Sequence, residues 1–266
     1  MTYDLAAKRA YQDPSARVTD LQYQAVSHAS SKEINNHAFV LMGCGTGKSG
    51  VYNLLLLGAY LHMSNIPKTM VISPHNSLLE MHKLQSRHYL RGTNLSVISI
   101  SPSDVENKHF PTHFDLVFIS IHAFNELLSE YRHIILQWKL ENIFVDEYHN
   151  VIGELFRFSS AWQCLCIIPS LNVKIMLLSA TSEVKLMSSI ARFMNLGGFE
   201  VIGSADHYPL PNIRIHLIAN EQTLRCDSLF NKVVEVCQKV LEKRKIINPR
   251  YMPSLCPKRM HKSCQT

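Results

Sequence analysis

No run of apolar residues in this 266-residue sequence is long enough to cross a bilayer. The most hydrophobic stretch, Val51 to Met63, is interrupted by Asn53, Gly58 and His62. It falls well short of the roughly 20 residues that a spanning helix needs. A secretory signal is also missing, because Met1 to Val18 mixes Asp, Lys and Arg and has no apolar centre. Cysteines in a disulfide-framework spacing are absent. The seven present (44, 164, 166, 226, 237, 256 and 264) are odd in number, scattered, and mostly inside apolar segments. Free thiols in a reducing compartment are the expectation. There is no internal repeat and no low-complexity tract, and from Lys243 onward seven Lys or Arg occur without one acid. These absences predict a soluble, intracellular globular protein with a basic tail and no membrane partner.

What is present fits that frame. With 46% hydrophobic and 18% charged residues the chain can fill a large core, and a net charge of +6 favours an anionic partner without naming it. Two kinds of segment alternate along the first 200 residues. Ala38 to Met42, Thr69 to Ser73, Asp115 to Ile119, Asn142 to Asp146 and Lys174 to Ser179 are short, continuously apolar and end in a polar or small residue, with Leu95 to Ile100 a sixth candidate. Strands covered on both faces have this composition. Helix-length stretches separate them: Lys48 to Met63, Ser77 to Tyr89, Ala123 to Trp138, Gly153 to Ile168 and Glu183 to Asn195. The alternation predicts an α/β fold, a mainly parallel sheet with helices on both faces.

The strongest local signal is Gly43-Cys-Gly-Thr-Gly-Lys-Ser49, directly after a strand and before a helix. A nucleoside triphosphate needs closely approaching backbone amides and a helix N-terminus aimed at its charge. Lys48 would sit on the β- and γ-phosphates and the Ser49 hydroxyl on Mg²⁺, with Gly43, Cys44, Gly45, Thr46 and Gly47 forming the cradle. The strict pattern has glycine where this chain has Met42. About a hundred residues on, Val145-Asp-Glu-Tyr-His149 ends another strand. Asp146 would hold the Mg²⁺ through water, and Glu147 would polarise the attacking water. Adjacent carboxylates at a strand end are costly to bury without a cation.

Asp-Glu-x-His after one apolar strand, then Leu178-Ser-Ala-Thr-Ser182 after the next, resembles motifs II and III of superfamily-two helicases. Val71 to Leu79 resembles motif Ia, which contacts the nucleic-acid backbone, and Ser120 is a weaker match to the next such motif. Gln24, within Leu21-Gln-Tyr-Gln-Ala25, matches the upstream glutamine that reads adenine. In the wording of motif Ia and the spacing throughout, the chain is similar to RecQ-like DNA helicases over about residues 18 to 220. The resemblance implies a RecA-like ATP-binding lobe that hydrolyses ATP with Mg²⁺ and moves 3′ to 5′ on single-stranded DNA. It assigns Lys48, Asp146, Glu147 and His149 to catalysis, and Ser179 and Thr181 to coupling. Ser73, Pro74 and Ser120 would contact nucleic acid. Tyr148 departs from the family pattern, which has alanine there. Phe156, Arg157, Phe158 and Trp162 occupy the place of an aromatic-rich coupling loop. Phe156 and Trp162 would either stack on bases or pack a helix on the sheet.

The expected organisation is an N-terminal extension over 1–17, the ATP-binding lobe over 18–205, a linker with a fragment of a second lobe over 206–245, and a disordered basic tail over 246–266. Pro211-Asn-Ile-Arg214 resembles the linker, and Cys226 to Arg244 a first helix with Leu229, Val233, Val236, Val240 and Leu241 on one face. No second-lobe arginine motif follows, so this chain alone is expected to bind ATP without unwinding, a second lobe or partner chain completing the motor. Three other classes stay open. They are a non-catalytic ATP- or nucleic-acid-binding remnant, an RNA-directed superfamily-two ATPase and a small-molecule phosphotransferase. Cys256, His261 and Cys264 fit no standard zinc spacing.

Overall fold

The computed structural model describes residues 2–43, 45–151, 160–181 and 184–204. Cys44, Phe156 and everything proposed for the linker, second-lobe fragment and tail lie outside the described residues. Met1–Tyr208 form one compact unit. Its centre is a sheet of seven strands, β1 (His37–Leu41), β2 (Thr69–Ser73), β3 (Val97–Ile100), β4 (Leu116–Ser120), β5 (Asn142–Asp146), β6 (Lys174–Ser179) and β7 (Phe199–Gly203). They lie in the order β3-β4-β2-β5-β6-β1-β7, and every pair is parallel. The six predicted strands are all present. The seventh, Phe199–Gly203, was not anticipated. It is an edge strand whose first three residues are exposed, so it lacks the continuous apolar run that marks a covered strand.

Alternation along each strand builds two cores. Phe39 and Leu41 of β1 join one cluster with Ile143 and Val145 of β5 and Ile175 and Leu177 of β6. Ala38 and Val40 join the other with Phe144, Met176 and Leu178. Helices α1 (Thr2–Tyr11), α2 (Asp20–Ser30), α3 (Gly50–Leu61) and α4 (Asn76–Tyr89) contribute to the second core. The short α5 (Pro102–Glu106), α6 (Ile121–Glu130), α7 (Arg132–Trp138) and α8 (Val184–Phe193) contribute to the first. Among the described residues no helix is long and apolar enough to cross a membrane.

Helix α3 is buried at every position from Gly50 to Gly58. The reason is α1, which packs on α3 as part of the fold, whereas its composition predicts an extension. A Cβ on Gly58 would lie 2.7 Å from the Tyr3 ring, so glycine lets α1 lie close across α3. The single helix expected over Ala123 to Trp138 is two, because Tyr131 leaves the helical region at φ −127°, ψ 33°. The helix expected over Gly153 to Ile168 is, in its described part, a 3-10 helix over Ser160–Leu171 that contains Pro169. At the N-terminal end of the sheet, the buried Lys174 ammonium donates to the carbonyls of His28 (2.8 Å) and Ser31 (2.6 Å). It thereby satisfies the C-terminus of α2. The other end of the sheet carries the site.

Candidate functional site

The loop after β1 is shaped by its glycines. Gly45 (φ +77°) and Gly47 (φ +88°) adopt the left-handed conformation that side chains resist. Thr46 folds the loop back by donating its hydroxyl to the Gly43 carbonyl at 2.7 Å. Met42 stands where the strict pattern has glycine. Its side chain is fully buried in the core and its amide donates to the Ser179 carbonyl at 3.0 Å, so it extends β1 rather than the loop. Ser49 stands at the start of α3 without capping it. Its hydroxyl is paired with the phenol of Tyr52, which burial holds firmly un-ionised.

Lys48 crosses from this loop to the end of β5. Its Nζ donates to Glu147 Oε1 at 2.7 Å, with the two side chains only 12% and 31% exposed. Glu147 sits at φ +49°, a strained conformation for a non-glycine residue and a recurrent mark of functional sites. Asp146 accepts the Glu147 amide on Oδ1 at 3.0 Å. Burial first, and the Glu147 charge second, push its carboxyl above the ordinary value, against the opposing pull of Lys48 and His82. Two carboxylates facing one lysine leave a net negative charge at the end of β5. Hard oxygen donors with a surplus of negative charge suit Mg²⁺, with phosphate oxygens completing the shell. Among the described residues no cluster of three His, Cys, Asp or Glu could hold a metal unaided.

His149 leads out of the acidic pair. Its Nδ1 lies 2.8 Å from the Ser179 hydroxyl and 3.3 Å from Glu147 Oε2. Ser179 Oγ donates to the Thr181 carbonyl at 2.6 Å and accepts the Thr181 amide at 3.2 Å. A hydroxyl whose proton is committed to Thr181 must accept from His149, which fixes the proton on Nδ1. Adjacent strands supply this chain, Asp146 standing opposite Leu178 in the β5–β6 register. The packing consequence of Tyr148 is also visible, since its ring is fully buried edge-on against Phe39 at 5.1 Å.

Several expected positions need correction. Gln24 is exposed on α2, and the glutamine that reaches the loop is Gln22. Gln22 closes a capping box with Thr19 and donates Nε2 to the Gly47 carbonyl at 3.1 Å. Two residues along a helix put Gln24 on the far side. Tyr11 of α1 also pairs with Gln22 and packs edge-on against Tyr89 at 5.3 Å, and no motif marks it as a neighbour of the loop. The Ser73 and Ser120 side chains are not surface contacts. Both residues are fully buried, Ser120 capping α6 through the Ala123 amide and Ser73 turning back to the His75 carbonyl, and Pro74 is buried as well. The exposed groups at those helix starts are His75, Asn76 and Ser77 on one and His122 on the other. Trp162, at 2% exposure, belongs to the core, which decides for packing over base stacking. Thr181 is exposed.

Comparison with known proteins bears on the fold and the family. No curated protein matches the sequence. Solved structures of similar fold include Saccharomyces cerevisiae Dbp5 bound to RNA and ADP BeF3 (14% identity, TM-score 0.55, covering 72% of this chain and 48% of that one). A hypothetical ATP-dependent RNA helicase from Sulfolobus tokodaii is similar too (17%, 0.54, 74% and 56%). So is the yeast DEAD-box splicing factor Prp28 (14%, 0.55, 77% and 50%). The chain thus spans about half the length of these proteins, and at such identity they speak for the fold alone. Residues 19–188 match the family described as DEAD/DEAH box helicase, well over half the chain, and the protein belongs to that family.

Proposed function

We propose that this chain is the nucleotide-binding motor lobe of a helicase, binding ATP with Mg²⁺ and acting on single-stranded nucleic acid. The observation that carries the reading is the Lys48–Glu147 bridge, which joins the glycine loop to the acidic strand end across 2.7 Å. When phosphates arrive, Lys48 leaves Glu147 for them, and Glu147 is freed to orient the attacking water. Mg²⁺ bound at the Ser49 hydroxyl, with Asp146 holding it through water, would screen the phosphate charge. Gln22 takes the base-recognition role first given to Gln24. His149, Ser179 and Thr181 form the hydrogen-bonded route from the acidic pair to the surface at Thr181. A second lobe or a partner chain would complete the motor.

For the nucleic acid, the amides at the starts of α4 and α6 and their exposed His75, Asn76, Ser77 and His122 offer a phosphate-binding rim. The wording of Val71 to Leu79 favours DNA and a RecQ-like 3′ to 5′ motor. A second reading, an RNA-directed ATPase, draws on the fold neighbours, of which Dbp5 is seen with RNA and the Sulfolobus protein is described as an RNA helicase. ATP turnover measured with single-stranded DNA and with single-stranded RNA separates them. Stimulation by DNA alone supports the first and by RNA alone the second. Stimulation by neither, with no salt-sensitive binding of either strand, would refute the motor reading and leave a nucleotide-binding module.

A further inference from the structure

The buried face of α4 is formed by Leu79, His82 and Ser86, and an imidazole in its middle needs a reason. Leucine would fill the same space without burying two ring nitrogens. The His82 ring lies flat on Phe118 (5.8 Å between centroids, 17° between planes), and the residue is 7% exposed. Its Nδ1 has no hydrogen-bond partner, while its Nε2 faces Asp146 Oδ2 at 4.0 Å. A proton on Nε2 leaves Nδ1 as a bare lone pair, the cheaper of the two groups to bury unpaired. Asp146 Oδ1 is already anchored by the Glu147 amide, so Oδ2 is the oxygen whose direction remains to be set. The gap is longer than a hydrogen bond, and a rotation of the carboxylate by about 1 Å closes it. Each carboxylate oxygen has two lone pairs, so an N–H on Oδ2 still leaves one for a metal-bound water.

We propose that His82 is a positioning residue for Asp146, its Nε2–H holding Oδ2 so that the carboxylate presents to the cation beside Ser49. The inference rests on Asp146 being the metal-side carboxylate of the function proposed above. Outer-shell partners of this kind typically change metal affinity by ~10- to 100-fold when removed.

The test is calorimetry on the full chain with a non-hydrolysable ATP analogue over a Mg²⁺ titration. His82→Leu keeps the volume over Phe118 and removes the N–H. His82→Gln places an amide N–H in nearly the same position. The Mg²⁺ concentration for half-maximal enhancement of nucleotide binding should rise about tenfold in His82→Leu, at the low end of that range. Mg²⁺-free affinity and melting behaviour should stay near wild type, and His82→Gln should restore the Mg²⁺ response. A purely packing role predicts an unchanged Mg²⁺ response in both variants, with His82→Leu melting no lower than wild type. That result, or equal loss in both variants, overturns the assignment. If the wild-type chain shows no Mg²⁺-dependent nucleotide binding, the metal reading of Asp146 fails, and the role of His82 falls with it.

Discussion

Replacing Glu147 with glutamine should strengthen nucleotide binding while abolishing turnover, because the wild-type carboxylate competes with phosphate for the same lysine. The Lys48–Glu147 contact is a charge-assisted hydrogen bond of 2.7 Å between side chains 12% and 31% exposed. Glutamine keeps an acceptor for the charged Lys48 ammonium but loses the Coulomb attraction of the ion pair, which between the exposed and buried limits is worth roughly 1–1.5 kcal/mol. The partial exposure of Glu147 trims this to about 1 kcal/mol. That energy no longer has to be given up when Lys48 turns to the phosphates. A tenfold affinity change corresponds to about 1.4 kcal/mol, so the expected gain is roughly fivefold. Removing one of two adjacent carboxylates also lessens repulsion of the γ-phosphate, which acts in the same direction. Calorimetry with a non-hydrolysable analogue and Mg²⁺, beside a steady-state phosphate-release assay, reads both effects. Unchanged or weaker affinity for Glu147→Gln would refute the competition, and undiminished turnover would remove Glu147 from the chemistry.

Other substitutions probe the rest of the site. Lys48→Ala should lower Mg²⁺-ATP affinity at least tenfold and destabilise the free protein by about 2 kcal/mol, between values typical of exposed and buried pairs. Chemical denaturation and calorimetry check the two effects, and an unaltered affinity would sink the phosphate-loop assignment. Gln22→Ala should cost roughly 1–2 kcal/mol through the lost capping box and loop contact, whereas exposed Gln24→Ala should stay within about 0.5 kcal/mol. Equal effects on melting and nucleotide affinity would restore Gln24 as an equal candidate. The Asp146 carboxyl is raised above its ordinary 3.8 in the folded protein. Its stabilising contribution is therefore fully present below that value and lost as pH climbs through the folded pKa, so at neutral pH the charge is a cost. Without nucleotide or metal, Asp146→Asn should melt higher than wild type at neutral pH, and the gap should shrink on acidification. A lower melting temperature at neutral pH would contradict it.

The readable parts of this protein were those in which one chemical demand fixes residue type and spacing together. A covered parallel strand must be apolar on both faces, so Thr69–Ser73, Asn142–Asp146 and Lys174–Ser179 are legible to the residue. A phosphate cradle needs left-handed backbone, so Gly45 and Gly47 could be placed before any coordinates. What sequence hid was direction. Gln22 and Gln24 are equivalent letters two positions apart, and only the capping box at Thr19 decides which one faces the loop. That box was itself readable, since threonine followed three residues later by glutamine marks a helix start. Ser73 and Ser120 illustrate the converse. Each ends a strand and precedes a helix, the place where a hydroxyl is as useful for satisfying the chain's own amides and carbonyls as for touching a ligand. Their hydroxyls serve the fold, and the groups left to meet a phosphate are the backbone amides and the side chains just beyond them. Tyr11 and His82 carry no motif at all. Their significance comes from helices α1 and α4 crossing beside the loop and the acidic strand, a long-range relation that no local pattern encodes. A functional centre built where strands end is therefore recognisable from the residues that bear its charge, whereas the residues that aim those charges emerge only from packing.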